Sequence, residues 1–471
     1  MSINSYFNLL KENLNSSKEF GVDDNGHLSF HGIDLVDLIQ EHGTPLKITF
    51  LPIISRQIKK AKEMFHNAIK ELDYRGDYTY CYCTKSSHFA FVLDEVLKNN
   101  VHIETSSAFD LPIIENLHLQ NKIDFDKIIV CNGFKRSEYA SNIIGLLNKG
   151  FKNLIPVLDN VEEFEFYDKT IKNPFNVGIR MATEEIPNYN FYTSRLGISP
   201  KKIINYYKET LANHPRAKLT MLHFFINTGI KDHVYYWNEL TKCLKIYAEL
   251  KSICPSLDTL NIGGGLPFKS SLNFNYDYSG FIQSILKEIK STCMEYGIVE
   301  PNIMTEFGTY TVAEASANIY TVLNEKKQND RESWYMVNNS FMTTLPDTWG
   351  IDQRFIILPI NNWFREYKAA FLGGLTCDSM DFYNAEIHNN KLFMPQLNPE
   401  EPLHIGFFNT GAYQDALAGH GGIKHCLIPT PKHIVLNIDE HDVLTSRVFS
   451  EEQKPEDVLK ILGYEASSLE V

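Results

Sequence analysis

The chain has 471 residues, of which 43% are hydrophobic and 22% are charged, and its formal net charge is −13. This length exceeds the size at which a single core usually divides, so we expect two domains. The negative charge and the lack of a long basic run argue against nucleic acid as a partner. No apolar run is long enough to span a bilayer, and the N-terminus lacks the pattern of a signal peptide, so no membrane association is expected.

The eight cysteines are scattered along the chain, and none belongs to a Cys-x-x-Cys pair. Scattered single cysteines are typical of a reduced, cytoplasmic protein. The spacing of cysteines and histidines predicts no metal site. We therefore expect a cytoplasmic protein whose partner is a small molecule.

Short apolar runs alternate with amphipathic segments between residues 46 and 325. Eight runs have the length and composition of strands: TYCYC (79–83), VHIET (101–105), KIIVCN (127–132), LIPVLD (154–159), FNVGIR (175–180), LTMLHFF (219–225), TLNIGG (259–264) and NIMTEF (302–307). Helical patterns such as residues 137–148 and 235–250 lie between them. Alternating strands and helices indicate a parallel sheet, and eight units suit a closed (β/α)₈ barrel over residues 46–325.

The pattern changes after about residue 325. Helical periodicity fades, and glycine, proline and β-branched residues become frequent, as in residues 355–360, 371–376 and 433–438. This composition is typical of strands and turns. We expect residues 1–45 and 326–471 to form a second, mostly β domain that combines both ends of the chain.

One predicted strand ends on a lysine, Lys85, in the segment YTYCYCTKSSHF (78–89). Lysine is rarely buried without a partner, so an exposed strand end is the simplest interpretation. In closed βα barrels, however, the active site lies at the C-terminal ends of the strands, which makes Lys85 a functional candidate. Other polar residues also lie at or near the ends of predicted strands and are candidates by the same argument, namely Glu104, Asn132, Asp159, Arg180 and Glu306.

Three consecutive glycines, Gly263, Gly264 and Gly265, follow the seventh predicted strand. Glycines let the backbone approach an anion with its N–H groups, and phosphates bind near the last loops of barrels. An ordinary tight turn fits the three glycines equally well. Together, a lysine, a glycine-rich phosphate loop and the carboxylate of Glu306 suggest pyridoxal phosphate, whose ring nitrogen needs an acidic partner.

The motifs resemble those of the pyridoxal-phosphate decarboxylases that act on ornithine, diaminopimelate and arginine. These enzymes combine an alanine-racemase-like barrel with a β domain. The resemblance covers nearly the whole chain and rests on GTPLKITF (43–50), YCTKSSH (82–88), IETSS (103–107), GIRMA (178–182), SRLGIS (194–199), LTCDSMDF (375–382) and NTGAYQDAL (409–417).

Two segments are similar to the biosynthetic arginine decarboxylases in particular, namely VCNGFKRSEY (130–139) and SFMTTLPDTWGIDQRFIILPI (340–360). Asn339 stands where ornithine decarboxylases carry an aspartate that contacts the substrate's distal amine. The resemblance thus implies decarboxylation of L-arginine to agmatine and CO₂ for polyamine synthesis. Decarboxylation of ornithine, diaminopimelate or carboxynorspermidine remains an alternative, as does an inactive regulatory homologue.

The resemblance also implies roles for individual residues. Lys85 would bind the cofactor as an aldimine, Glu306 would keep the ring nitrogen protonated, and Cys377 would protonate the product carbon. These three are the expected catalytic residues. The expected cofactor-binding residues are Lys85, Glu104, Arg180, Phe225, Thr228, Gly263, Gly264, Gly265, Glu306 and Tyr413.

The substrate's cationic end is expected to meet Asp378, because guanidinium groups favour bidentate carboxylate partners. Asp347, Asp352 and Asp381 are weaker candidates for a second contact. In the family the Cys377–Asp378 pair completes the site of a neighbouring subunit, which implies a homodimer or a higher homo-oligomer. The resemblance also allows Mg²⁺, although the sequence shows no ligand set for it.

Two positions depart from the family pattern. Phe225 stands where the family usually places a histidine over the cofactor ring. It can stack but cannot donate a hydrogen bond. His223, on the same face of the strand, could partly replace that histidine. Thr309 stands where the family has an arginine that contacts the phosphate. A structural ion pair between Arg180 and Glu104 is an equally good interpretation of those two residues.

Overall fold

The computed structural model describes residues 12, 14, 19–184, 194–226, 233–385 and 391–464. Its contacts divide the chain into two units. The first, the barrel unit, comprises residues 54–267 and 276–311. The second, the β unit, comprises residues 1–53, 268–275 and 312–471.

The strands in chain order are β1 (Phe20–Val22), β2 (Leu28–Phe30), β3 (Ile33–Asp34), β4 (Leu46–Phe50), β5 (Tyr78–Cys83), β6 (His102–Thr105), β7 (Ile129–Cys131), β8 (Leu154–Leu158), β9 (Phe175–Met181), β10 (Ala217–Phe224), β11 (Thr259–Asn261), β12 (Asn302–Phe307), β13 (Ser316–Asn329), β14 (Glu332–Val337), β15 (Ile356–Pro359), β16 (Tyr367–Gly373), β17 (Leu392–Pro395), β18 (His404–Phe408), β19 (Lys432–Ile438) and β20 (Leu444–Ser450).

The α-helices are α1 (Leu35–His42), α2 (Pro52–Glu71), α3 (Ala90–Leu97), α4 (Asp110–Leu119), α5 (Ser137–Lys149), α6 (Phe164–Thr170), α7 (Pro200–Tyr206), α8 (His233–Ile253), α9 (Tyr278–Tyr296), α10 (Thr309–Val312), α11 (Phe341–Thr344), α12 (Pro346–Ile351), α13 (Gln414–Ala418) and α14 (Pro455–Ile461). Short 3₁₀ turns span Thr84–Ser86, Ala313–Ala315 and His425–Leu427. Among the residues described, no helix is both long and apolar enough to cross a bilayer.

The barrel unit is a closed parallel barrel of eight strands, β5 to β12 in sequence order, with β12 pairing back onto β5. The barrel strands are largely buried on both faces, since they lie between the barrel interior and the surrounding helices. Side chains such as Cys81, Val130, Val157, Met221 and Met304 fill the interior. All eight predicted strands are barrel strands, so the predicted fold class is confirmed.

The β unit contains a sheet of three strands, β1 to β3, and a larger sheet of nine. In the larger sheet β4 pairs with β13 and β19, and β18 pairs with β13 and β15. Aromatic and aliphatic side chains, among them Tyr320, Tyr335, Phe341 and Phe407, form its core. The mostly β character of this part of the chain is confirmed.

The edges of the two units depend on strand pairing. The predicted barrel begins at residue 46 and ends at residue 325, whereas β4 and β13 pair with each other in the sheet of the β unit. All five residues of β4 are buried. Because burial on both faces is equally typical of barrel strands, the sequence pattern of β4 does not reveal its partner.

Candidate active site

Lys85 lies in the 3₁₀ turn that directly follows β5. Its Nζ is 3.0 Å from Glu104 Oε2 and 3.4 Å from Ser106 Oγ, and its side chain is 42% exposed. The neighbouring Thr84 hydroxyl lies 3.1 Å from both Asp110 Oδ1 and the backbone oxygen of Glu104. The lysine is therefore held at the strand end with its amine paired and still accessible.

Gly308 lets two barrel strands approach closely at this strand end. A Cβ atom at Gly308 would lie 2.9 Å from the Cβ of Ser86 and 3.1 Å from the Cβ of Cys83. Any other residue would push the segment after β12 away from the turn that carries Lys85. The glycine thus keeps the ends of β5 and β12 together.

Two buried carboxylates at the strand ends are joined by one amide. Asn132 Nδ2 donates to Glu104 Oε1 at 3.1 Å and to Glu306 Oε1 at 2.8 Å. Asn261 Nδ2 donates to the same Glu306 oxygen at 2.6 Å. Glu104 is fully buried and Glu306 is 5% exposed. These hydrogen bonds offset part of the cost of burying the two negative charges.

His223 lies beside the second oxygen of Glu306, with its Nε2 3.8 Å from Oε2. Its Nδ1 is 3.2 Å from the backbone oxygen of Asn261. Burial lowers the pKa of His223 to about 3, with the positive charge of Arg180 adding to the effect. His223 is therefore neutral near pH 7 and lies beside Glu306 without a hydrogen bond to it.

The sequence marks Asn132 as a candidate only by its position at a strand end, and neither Asn132 nor Asn261 was predicted as a catalytic or cofactor-binding residue. Asn132 follows β7 and Asn261 ends β11, so both occupy strand-end positions. Their position in a barrel was the available signal, because the C-terminal strand ends meet in one place. Asparagine is also a common turn residue, which hides this role in the sequence.

The three glycines follow the seventh barrel strand. Gly263 and Gly265 have φ angles of 67° and 101°, in the region that favours glycine. A Cβ at Gly264 would overlap the backbone oxygen of Glu306. Among the hydrogen bonds of the described residues, none uses the N–H of Gly264 or Gly265. The loop therefore passes close to Glu306 and has N–H groups available for an anion.

The guanidinium group of Arg180 lies near the ring of Phe225. The guanidinium carbon of Arg180 lies 5.8 Å from the centre of the Phe225 ring. Burial lowers the pKa of Arg180, and the negative charge of Asp159 opposes that shift. The ion pair of Arg180 with Glu104 considered from the sequence does not occur among the described residues, because Lys85 pairs with Glu104 instead. Phe225 follows β10 and is partly buried, and Thr228 lies outside the described residues.

Cys377 and Asp378 lie in the β unit, in the loop after β16. Cys377 is exposed, and Asp378 Oδ2 is 3.9 Å from His425 Nε2. The Sγ of Cys426 is 3.5 Å from the Sγ of Cys377, and this hydrogen-bonded contact raises the pKa of the Cys377 thiol. Both predicted residues are thus accessible.

The other predicted carboxylates differ in their environment. Asp347 is partly buried and accepts a hydrogen bond from Gln414 Nε2 at 2.7 Å, and burial raises its pKa. Asp352 is exposed at the end of α12. Asp381 is buried, and its Oδ1 accepts from the N–H of Phe341 at 2.9 Å. Since Asp381 binds backbone groups of its own unit, it stabilises the loop after β16 and is not positioned to bind a substrate.

Tyr413 directly precedes α13 and is partly buried. Its φ angle is 66°, an uncommon value for a bulky side chain. Such strained residues cluster at functional sites, where the surrounding structure holds them. Its conformation is therefore consistent with the predicted role, which remains a prediction.

The residues of the barrel unit fit pyridoxal phosphate. An accessible lysine, a glycine loop with N–H groups available for a phosphate, and a carboxylate held by two amides lie at the carboxyl ends of one barrel. Each corresponds to a group that this cofactor requires, namely an amine, a phosphate site and an acidic partner for the ring nitrogen. The fold and site thus define an α/β-barrel enzyme of the pyridoxal-phosphate class.

Comparison with known proteins identifies the family. The family model "Pyridoxal-dependent decarboxylase, pyridoxal binding domain" matches residues 54–313. The chain therefore belongs to the pyridoxal-dependent decarboxylases. It is 24% identical to a biosynthetic arginine decarboxylase of Prochlorococcus marinus, over 96% of this chain and 89% of that protein. A biosynthetic arginine decarboxylase of Vibrio vulnificus is 21% identical, over 96% and 90%.

Solved structures show the same fold. The crystal structure of the biosynthetic arginine decarboxylase of Campylobacter jejuni matches with a TM-score of 0.79 and 21% identity, covering 99% of this chain and 91% of that one. A diaminopimelate decarboxylase of M. jannaschii matches with a TM-score of 0.75 and 17% identity, covering 94% and 97%. Both the barrel and the β unit are included in these matches.

Proposed function

We propose that the protein decarboxylates L-arginine to agmatine and CO₂ with pyridoxal phosphate, as a step of polyamine synthesis. The choice of arginine as the substrate rests on the extent of the similarity. Relatives named biosynthetic arginine decarboxylase align over 96% of the chain. The segments 130–139 and 340–360 support the same substrate. Asn132, which holds Glu306, lies within the first of them.

In this proposal Lys85 holds the cofactor through its amine, and the N–H groups of Gly264 and Gly265 bind the phosphate. Glu306 holds the proton on the ring nitrogen. The bound cofactor supplies the electron sink that accepts the electron pair left at Cα when CO₂ departs. Tyr413 and Gly263 are further phosphate-site candidates.

Glu104 and Glu306 have different tasks under this proposal. Glu104 pairs with the Lys85 amine and keeps it positioned while the substrate amine arrives. Asn132 and Asn261 hold the Glu306 carboxyl group in place for the ring nitrogen, beside a neutral His223. Phe225 offers an apolar face for the ring, and the Arg180 guanidinium lies near Phe225.

The β unit would supply the groups that act on the substrate. Cys377 donates a proton to Cα after CO₂ has left, and Asp378 binds the guanidinium group. Asp347 and Asp352 are weaker candidates for a second contact. Following the family pattern, we propose that Cys377 and Asp378 complete the site of a second copy of the chain, so that the active form is a homodimer or a higher homo-oligomer.

A cytoplasmic location belongs to the same proposal and is supported by the free thiols of all eight cysteines. Activation by Mg²⁺ is the other part of the cofactor proposal. The clusters of three potential ligands found in the described part of the chain each contain a cysteine or a histidine. Mg²⁺ prefers oxygen ligands. Assays after EDTA treatment, with and without added Mg²⁺, decide its role.

The test is CO₂ release by purified protein with pyridoxal phosphate, from arginine, ornithine, diaminopimelate and carboxynorspermidine in separate assays. Release from arginine with formation of agmatine is expected. Release from another substrate but not from arginine would reject the proposed substrate. An absorption band of bound cofactor without release from any of the four would favour a regulatory homologue.

The shared site is tested by mixing two inactive variants, Lys85→Ala and Cys377→Ala. If each subunit completes its neighbour's site, mixed dimers contain one intact site and activity partly returns. If each chain uses its own Cys377, no mixture recovers activity. Light scattering on the same samples reports the oligomeric state.

A further inference from the structure

Three side chains with metal-binding atoms converge on an exposed part of the β unit. Cys377 comes from the loop after β16, and His425 and Cys426 come from the 3₁₀ turn His425–Leu427. One ligand atom of each lies within 4.8 Å of the others, and all three residues are exposed. Cys377 and His425 are 48 positions apart in sequence, and only the fold unites them.

The distance between the sulfur atoms of Cys377 and Cys426 distinguishes a disulfide bond from a pair of thiolates that bind one metal ion. A disulfide requires about 2.05 Å between the sulfur atoms. Two thiolates bound to one tetrahedral zinc ion lie about 3.8 Å apart, given Zn–S bonds of about 2.3 Å. The sulfur atoms of Cys377 and Cys426 are 3.5 Å apart. This spacing is close to that of a zinc-bound thiolate pair.

The loop that carries Cys377 is anchored by Asp381. Its Oδ2 accepts from the Thr376 hydroxyl at 2.8 Å and from the Thr376 N–H at 3.0 Å. Its Oδ1 accepts from the Ser340 hydroxyl at 3.1 Å. A buried carboxylate with this many partners fixes the backbone directly before Cys377.

The turn that carries His425 and Cys426 is anchored from the other side. The preceding Lys424 is buried and donates from Nζ to the Thr343 carbonyl at 3.1 Å. Asp378 Oδ2 lies 3.9 Å from His425 Nε2. At this distance the contact is electrostatic rather than a hydrogen bond, and it places an acidic group beside the imidazole. The ligand set is therefore held on both sides before any ion binds.

We propose that Cys377, His425 and Cys426 bind a thiophilic divalent cation of the Zn²⁺ class, and that the bound ion inhibits the enzyme. The inhibitory half rests on the proposed function, in which Cys377 is the proton donor. On binding, each thiol loses its proton to solvent and forms a thiolate–metal bond, with no change of oxidation state. The Cys377 sulfur is then no longer available to donate a proton. Soft thiolates and an imidazole favour Zn²⁺ over Mg²⁺ or Ca²⁺.

The binding test uses Co²⁺ as a spectroscopic probe on the full-length, reduced holoenzyme. Tetrahedral coordination with two thiolates is expected to give intense visible d–d bands that saturate at one ion per chain. Stoichiometric Zn²⁺ should then displace the Co²⁺ and abolish the bands. Absence of the bands in reduced protein would overturn the proposal, as would thiols that are recovered only as a disulfide pair.

Cys426→Asn is the diagnostic variant. Cys426 has a φ angle of 52°, which asparagine tolerates better than most residues, so the turn should keep its shape. Loss of one of three ligands should weaken Zn²⁺ binding by about 100-fold or more, since even changes outside the ligand shell cost 10–100-fold. Unchanged Co²⁺ bands in Cys426→Asn would contradict the assignment.

His27→Gln is the matched control. His27 lies with Asp23 and Asp34 in another cluster of potential ligands that contains no thiol. This variant should retain the thiolate-type Co²⁺ bands of the unmodified protein. If the bands disappear in His27→Gln and persist in Cys426→Asn, the ion binds at the cluster of His27 rather than at Cys377, and the proposal fails.

Inhibition is measured separately from binding. Zn²⁺ in slight excess should stop CO₂ release, EDTA should restore it, and Cys426→Asn should be active and insensitive to Zn²⁺. If the protein binds Co²⁺ as expected but does not act on arginine, the proposed function fails and the site stands. If the enzyme is active and binds Zn²⁺ without inhibition, the inhibitory half is rejected.

Discussion

The barrel unit and the β unit each contain a cluster in which a lysine pairs with a carboxylate near a buried histidine. In the barrel it consists of Lys85, Glu104, Glu306 and His223. In the β unit it consists of Lys47, Asp415 and His433, in which Lys47 Nζ contacts Asp415 and His433 Nε2 is 2.9 Å from the Thr49 hydroxyl. Burial lowers the pKa of both His223 and His433 to about 3.

The two clusters differ in access. The side chain of Lys85 is 42% exposed, whereas that of Lys47 is 6% exposed. The cavity beside Lys47 has a volume of about 20 Å³, enough for a water molecule but not for a substrate. Only the barrel cluster adjoins a glycine loop with available N–H groups. A lysine–carboxylate pair therefore indicates a catalytic role when its lysine stays accessible to solvent beside a binding loop. It indicates a structural role when the lysine is enclosed by protein.

Replacing Lys85 should have the largest effect on activity and little effect on folding. Lys85→Ala should lower kcat/KM by about 1,000-fold, a size typical for loss of one reacting side chain, because the cofactor loses the amine that holds it. The absorption band of the bound cofactor should disappear with it. Lys122→Ala, which removes an exposed ion pair with Asp94, is the control and should remain fully active. If the Lys85→Ala enzyme is active, Lys85 is not catalytic, and the proposed functional difference between the two lysine clusters is wrong.

Replacing Lys47 should have the opposite outcome. Lys47→Ala leaves the partly buried carboxylate of Asp415 without its cation, which should lower the free energy of unfolding by about 2 kcal/mol. Urea unfolding measures this change, and the activity per folded molecule should not change. The double variant Lys47→Met/Asp415→Leu should regain most of the lost stability. A purely catalytic defect would show that the cluster of the β unit is not structural.

Replacing Glu306 tests whether its charge matters or only its shape. Glu306→Gln keeps an oxygen for the amides of Asn132 and Asn261 but removes the negative charge. CO₂ release should fall by about 100-fold because the ring nitrogen loses its acidic partner. The cofactor band should persist, since Lys85 is intact. Glu165→Gln, at an exposed helix position, is the control.

The two buried histidines should make stability depend on pH in the same direction. The unfolded chain binds a proton at the ordinary histidine pKa, whereas folded His433 stays neutral down to about pH 3. Lowering the pH from 7 to 5 should therefore reduce the free energy of unfolding by about 2 kcal/mol for each such histidine. His433→Gln should flatten the profile by that amount, and exposed His441→Gln should not. Equal slopes for all variants would contradict the buried, neutral state.

Much of the barrel site could be predicted from local sequence. Lys85, Glu104 and Glu306 lie on or next to apolar runs of strand length, and the barrel geometry brings such positions together. The resemblance to the decarboxylases supplied Cys377, Asp378 and Tyr413, whose roles remain predictions. Asn132 and Asn261 were not among the predicted catalytic or cofactor-binding residues, because nothing local links two distant asparagines to one carboxylate. The sequence also allowed an ion pair between Arg180 and Glu104, but in the structure Lys85 forms the ion pair with Glu104.

The sequence by itself determined the eight barrel strands, the change to β structure and the positions of Lys85 and Glu306. These features depend on the periodicity of neighbouring side chains, which the chain carries locally. Only the tertiary structure decided that β4 joins the β unit, that two amides meet on Glu306 and that Cys377 lies beside Cys426. Each of these depends on pairing or contact between segments far apart in sequence, which local periodicity does not encode.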